Sequence, residues 1–169
     1  MRALFANSNF NQSISSWDVS SVTTMESMFN NAGSFNQNLN DWNVSKVTNM
    51  WAMFVNASRF NGDIGNWDVS SVTTMQAMFA NASSFNGDIS AWDVSSVTNM
   101  EGMFASASSF NQNLSNWCVS QFEQRPNGFN SSGIISNENL PIWGTCPEDG
   151  SGHHSGGGSA GGGAGSTGN

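Results

Sequence analysis

The chain has 169 residues, a formal net charge of −8 and only 9% charged residues, against roughly 25% in an ordinary soluble domain. Its four basic residues, Arg2, Lys46, Arg59 and Arg125, are too few and too scattered for the footprint that nucleic acid requires. No apolar run approaches membrane-spanning length, so neither a nucleic-acid partner nor a membrane span is expected.

Polarity comes instead from Asn, Ser, Thr and Gly, and it is periodic. Phe10, Phe35, Phe60, Phe85 and Phe110 stand 25 apart, as do Trp17, Trp42, Trp67, Trp92 and Trp117. A period of this size predicts a repeat solenoid in which each repeat is one coil resting on its neighbours. Three segments follow: a repeat solenoid of about five coils over 1–120, a C-terminal cap over 121–147, and a Gly/Ser-rich tail or inter-subunit segment over 148–169.

Met1 to Phe10 is half a coil, with Leu4 or Phe5 in place of the later Met-Phe pair and no polar cap before it. The chain thus opens part-way through a repeat, so the lack of a visible signal peptide carries no weight. A bare coil end exposes apolar side chains and unpaired edges, which another segment or another molecule would cover.

The phrase from Phe60 to Phe85, FNGDIGNWDVSSVTTMQAMFANASSF, stands for each full coil. Trp67 and Val69 alternate with Asp68, which reads as a short parallel strand. Met75, Met78, Phe79 and Ala82 lie at i, i+3, i+4 and i+7, which reads as one face of a short helix. Thr73 with Gln76 forms a capping box for that helix, repeated by Thr23 with Glu26 and Thr98 with Glu101. The spacing I-x-x-W-x-V-x-x-V resembles a leucine-rich repeat with Trp and Val in place of Leu. The expectation is one short strand plus one short helix per coil, with the Trp, Val, Met and Phe stripes as core; Met fills irregular gaps there.

Outward positions also form ladders. Asp63, Asp68, Asp88 and Asp93 are candidate members of a cation ladder, since stacked carboxylates near backbone oxygens can hold Ca²⁺; side-chain hydrogen bonding along the stack is the plainer reading. Asn11, Asn36, Asn61, Asn86 and Asn111 form a complete Asn ladder. Trp51 breaks the pattern, because its equivalents Glu26, Gln76 and Glu101 are polar. It is a candidate contact residue. Asn11, Asn43, Asn56, Asn81, Asn113 and Asn130 each begin N-x-S/T and are candidate glycosylation sites.

Cys118 replaces the outward Asp of the ladder, and beyond it the repeat decays. Cys146 is its only possible partner. Two cysteines flanking a non-repeat segment read as a disulfide that pins the cap, which places the protein outside the reducing cytosol. After Pro147 the composition turns to Gly, Ser and Ala, with His153 and His154. Such a segment is a flexible linker, or a strand added to an exposed edge.

The phrase WDVSSVTNM-x-x-MF-x-x-A-x-x-FN resembles the BspA-like bacterial surface-protein repeat, also described as a 25- or 26-residue lipoprotein-associated repeat. The likeness covers Phe5 to about Phe122, and Asn116 to Pro147 resembles the C-terminal cap of such proteins. The resemblance implies a leucine-rich-repeat-like fold, a secreted or surface-attached location, and adhesion or protein binding without catalysis.

No nucleophile–base pair, P-loop or metal-protease motif is present, and both histidines lie in the tail. The sequence predicts a non-catalytic extracellular structural protein without a cofactor, Ca²⁺ aside. It would be a surface or fibril subunit that binds copies of itself head to tail through its solenoid ends and Gly-rich tail. The alternative is an adhesin recognising a glycan or protein on the solenoid face. An ice-binding reading of the Thr ladder ranks last.

Overall fold

A computed structural model describes residues 1–148. Apart from Glu148, the predicted tail, with His153 and His154, lies outside the described residues.

The turn is the unit of this fold. Within each coil the backbone closes i to i+3 again and again. In residues 61–85, Trp67 N–H donates to the Ile64 carbonyl, Val72 to Val69, Met78 to Met75, Ala80 to Ala77, Ala82 to Phe79 and Phe85 to Ala82. Except in the Ala77–Ala80 turn, the apolar residues that open and close these turns are buried, while the two between them are part-exposed or exposed. Ile64, Val72, Met75, Met78, Phe79, Ala82 and Phe85 are all fully buried.

Another set of N–H groups runs along the stack. Met50, Ala52, Phe54 and Asn56 donate to the carbonyls of Thr74, Gln76, Met78 and Ala80. Met75, Ala77, Phe79 and Asn81 donate in turn to Asn99, Glu101, Met103 and Ala105. Every second N–H thus reaches the carbonyl 24 residues ahead.

This arrangement overturns the expected leucine-rich-repeat-like coil of one strand and one helix. Among the described residues the only helical element is a 3-10 turn at Asn137–Asn139. Parallel pairing there is confined to isolated bridges, Thr24 with Asn49, Asn49 with Thr74 and Thr74 with Asn99. The i, i+3, i+4, i+7 pattern at Met75 to Ala82 has another cause. Successive turns sharing an inner side have nearly the helical spacing, but their N–H groups leave the segment for the next coil instead of bonding at i−4. The Trp67–Val69 alternation likewise joins two turns. The capping boxes dissolve with the helix: Thr73 Oγ1 donates to the Thr48 carbonyl, and Thr98 Oγ1 to that of Thr73.

Positive φ angles make the ribbon turn. They recur at Ser27, Ala52, Ala77 and Gly102, and again at Asn31, Asn56, Asn81 and Ser106. Asn tolerates this left-handed region better than most residues, whereas Ala77, at φ 53°, carries a Cβ penalty. Gly62 answers a different need, since a Cβ there would run into the Gln37 carbonyl of the previous coil.

The core is a set of aromatic columns. Phe54 stacks on Phe79 at 5.6 Å and 3°, Phe60 on Phe85 at 5.7 Å, and Trp67 on Trp92 at 6.2 Å. Each buried indole also donates across a coil boundary, Trp42 to Ile14 O, Trp67 to Leu39 O, Trp92 to Ile64 O and Trp117 to Ile89 O. A polar ring atom is thereby satisfied inside an apolar column.

Ala77→Gly tests the turn ribbon directly. At a left-handed position Gly removes about 1–2 kcal/mol of Cβ strain against roughly 0.5–1 kcal/mol of added chain entropy. The variant is therefore expected to melt at or slightly above the parent temperature. In a helix the same change would cost about 1 kcal/mol, so a lowered melting temperature would contradict the ribbon.

Candidate functional site

The stack presents repeated polar rows to solvent, and the candidate residues lie on them. Asp63, Asp68, Asp88 and Asp93 are exposed and each folds back on its own turn. Asp88 Oδ1 accepts from Ser90 N–H at 3.0 Å and Ser90 Oγ at 2.6 Å; Asp68 and Asp93 do the same with Ser70 and Ser95. Asp63 Oδ1 accepts from Gly65 N–H. Asn43 and Asn113 occupy the same rows and accept the same backbone bonds with an amide oxygen. An uncharged acceptor therefore suffices, and turn closure accounts for the rows. Among the described residues no three His, Cys, Asp or Glu side chains gather as a metal site would need.

The bonds from Ser90, first its hydroxyl and then its N–H, hold the Asp88 carboxyl below the usual carboxylate range. Ser20 does the same for Asp18. A folded-state value below the unfolded one means that the turn contributes stability above the ordinary carboxylate pKa. That contribution is lost as pH falls through the folded value.

The sequons separate by geometry. Asn130 is buried, and its amide bonds both ways with the Ile135 backbone. Asn56 and Asn81 use Nδ2, the atom a glycan would occupy, to bond Asn31 and Asn56 across the coil boundary at 2.7 and 2.9 Å. Asn11, Asn43 and Asn113 are exposed and engage Oδ1 only. They are the sequons open to modification.

The long Asn ladder acts as a backbone relay. Asn11 Oδ1 accepts from Asn36 N–H, and the bond repeats through Asn61, Asn86 and Asn111 to Ser136 N–H in the closing segment. The second ladder, Asn7 to Asn31, Asn56 and Asn81, is a feature that the helix reading conceals. The 25-residue recurrence of Asn31, Asn56 and Asn81 is its sequence signal.

The two ends differ. At the first coil Leu4 is 51% and Trp17 40% exposed, against 1–3% for the four later tryptophans of the column, because no described coil lies beyond them. At the other end Phe129 and Trp143 turn the aromatic column sideways, at 82° to Phe104 and 79° to each other. Cys118 and Cys146 are disulfide-bonded across a separation of 28 residues. Beside this segment lies an open groove of about 340 Å³, lined by Thr98–Glu101 on one side and Phe122 and Gln124–Asn127 on the other. Trp51 stands in the body of the stack and is 41% exposed. No helix among the described residues is long and apolar enough to cross a membrane.

Two measurements check these assignments. Asp88→Asn should keep the neutral-pH melting temperature and lose less stability than the parent below about pH 4; an equal acid response would remove the Asp88 turn from the account. Reducing the Cys118–Cys146 bond should lower stability by about 3–4 kcal/mol for a loop of this size. Hydrogen exchange should rise first at 120–145, and uniform loosening of every coil would contradict a local clamp.

Comparison with curated proteins and with solved structures returns no match. A protein-family model described as "Mycoplasma protein of unknown function, DUF285" matches residues 1–69 and 39–143. Both matches run through the repeated coils, and the second extends through the closing segment to Trp143. The chain belongs to this DUF285 family.

Proposed function

We propose that the protein is a non-catalytic, extracellular structural subunit that associates head to tail with copies of itself. The complementarity of its two ends carries this reading. Met1, Ala3, Phe5 and Asn7 donate forward to Thr24, Glu26, Met28 and Asn30. The alternation leaves the carbonyls of Arg2, Leu4 and Ala6 on the outer side of the first coil, without a backbone donor among the described residues. In the closing segment Asn127 and Phe129 carbonyls accept from Gly102 and Phe104. The same alternation leaves Gly128 and Asn130 N–H without a backbone acceptor among the described residues.

One end thus offers acceptors and the other donors, with the polarity that already joins coil to coil. Exposed apolar groups accompany both, Leu4 and Trp17 at one end and Ile134 and Ile142 in the closing segment. A contact between unlike ends propagates as a filament when its rotation does not close. The disulfide supports an oxidising, extracellular setting. The resemblance to BspA-like surface repeats supports a bacterial surface location.

Negative-stain microscopy and light scattering of the full chain provide the test. Fibres or a ladder of oligomers are expected, and the double variant Leu4→Glu/Trp17→Glu should return the protein to monomer while its melting stays cooperative. A chain ending at Pro147 separates the role of the Gly-rich tail from that of the two faces. A monodisperse full-length monomer at high concentration would refute the proposal.

A further inference from the structure

We infer that Trp51, with Glu26 and Gln76 on the coils either side, forms a platform for an uncharged, extended β-linked polysaccharide running along the stack. The exposure of Trp51 is the starting point. The other large apolar residues exposed among those described, Leu4, Trp17, Ile134 and Ile142, all belong to the first coil or the closing segment. Neighbouring coils are missing or irregular there. Trp51 has a regular coil on each side, bonded through Ser27 N–H to the Trp51 carbonyl and through Ala52 N–H to the Gln76 carbonyl. Its exposure therefore comes from the residue type placed there, since the equivalent positions hold Glu26, Gln76 and Glu101.

The flanking polar groups are held in place. Glu26 pairs with Arg2 at 2.8 Å and accepts from Asn49 Nδ2 at 3.4 Å. Gln76 Oε1 accepts from Asn99 Nδ2 at 3.2 Å, which directs its own Nε2 donors elsewhere. An exposed indole in a row with a carboxylate on one neighbouring coil and an amide on the other suits a pyranose ring. The ring's C–H face would pack on the aromatic, with Gln76 as the nearer hydrogen-bonding neighbour, since both Glu26 oxygens are already engaged.

The geometry extends past one sugar. Positions 26, 51, 76 and 101 recur once per coil, at a spacing of about 4.8 Å where the bridges pair. An extended β-1,4-linked chain advances by a similar length per sugar, so a chain lying along the row keeps its sugars in step with the coils on either side of Trp51. The net charge of −8 disfavours uronate-rich or sulfated chains, although Arg2 neutralises Glu26 in the row itself. This site is independent of the self-association proposed above, because it uses the side of the stack and neither end.

Affinity electrophoresis of the full chain in gels containing hydroxyethylcellulose, glycol chitin or alginate tests the inference. Retardation by at least one of the two uncharged polymers and none by alginate is expected. Trp51→Gln installs the residue that the next coil already carries, so the fold tolerates it. It should weaken retardation at least fivefold, while Trp51→Phe keeps part of it. Equal retardation of parent and Trp51→Gln, stronger retardation by alginate, or none by either uncharged polymer would overturn the assignment.

Discussion

Along one segment of each coil, every second backbone N–H is spent on the next coil. That single constraint decides most of what surrounds it. A helix would satisfy its amides internally and leave neighbouring repeats joined by side chains alone. Here the segments Met50 to Asn56 and Met75 to Asn81 send four donors each to the carbonyls ahead, and the remaining amides close tight turns. Left-handed residues are the geometric consequence, and they return at the same places in each coil. Because buried backbone groups must be paired, the coils hold one another in a fixed register without a conventional sheet.

The side chains follow the same logic. Indole N–H groups, Asn amides and Thr hydroxyls each reach the neighbouring coil, so interior and surface both reinforce the stack. Aromatic columns supply apolar burial, and the ladders satisfy polar groups at the rim. Acidic residues contribute through their oxygens more than through their charge, as the amide substitutes Asn43 and Asn113 make plain.

The period, the buried columns, the pairing of Cys118 with Cys146 and the break at Trp51 were all legible in the sequence, because each depends on residue identity recurring at fixed intervals. The local conformation was not. Residues three apart on an inner face satisfy a helix and a run of turns equally well, and periodicity records burial rather than the destination of an amide. The clue lay in Gly102, which takes the place of Ala52 and Ala77, and in the recurrence of Asn at 31, 56 and 81, residue types that accept a positive φ. The stacked carboxylates show why identity alone is ambiguous: their turn partners Ser70, Ser90 and Ser95 already occupy an oxygen of Asp68, Asp88 and Asp93.

The constancy of the 24-residue step has a genetic corollary. A coil such as 61–85 meets nearly the same donors, acceptors and rings above as below, so a duplicated copy inserted after Phe85 would find a matching neighbour on each side. Unequal recombination between such similar stretches of coding sequence can then lengthen or shorten the protein by whole coils without disturbing either end. Length and stability then change together in whole-coil steps, since each added coil brings its own core and one more interface.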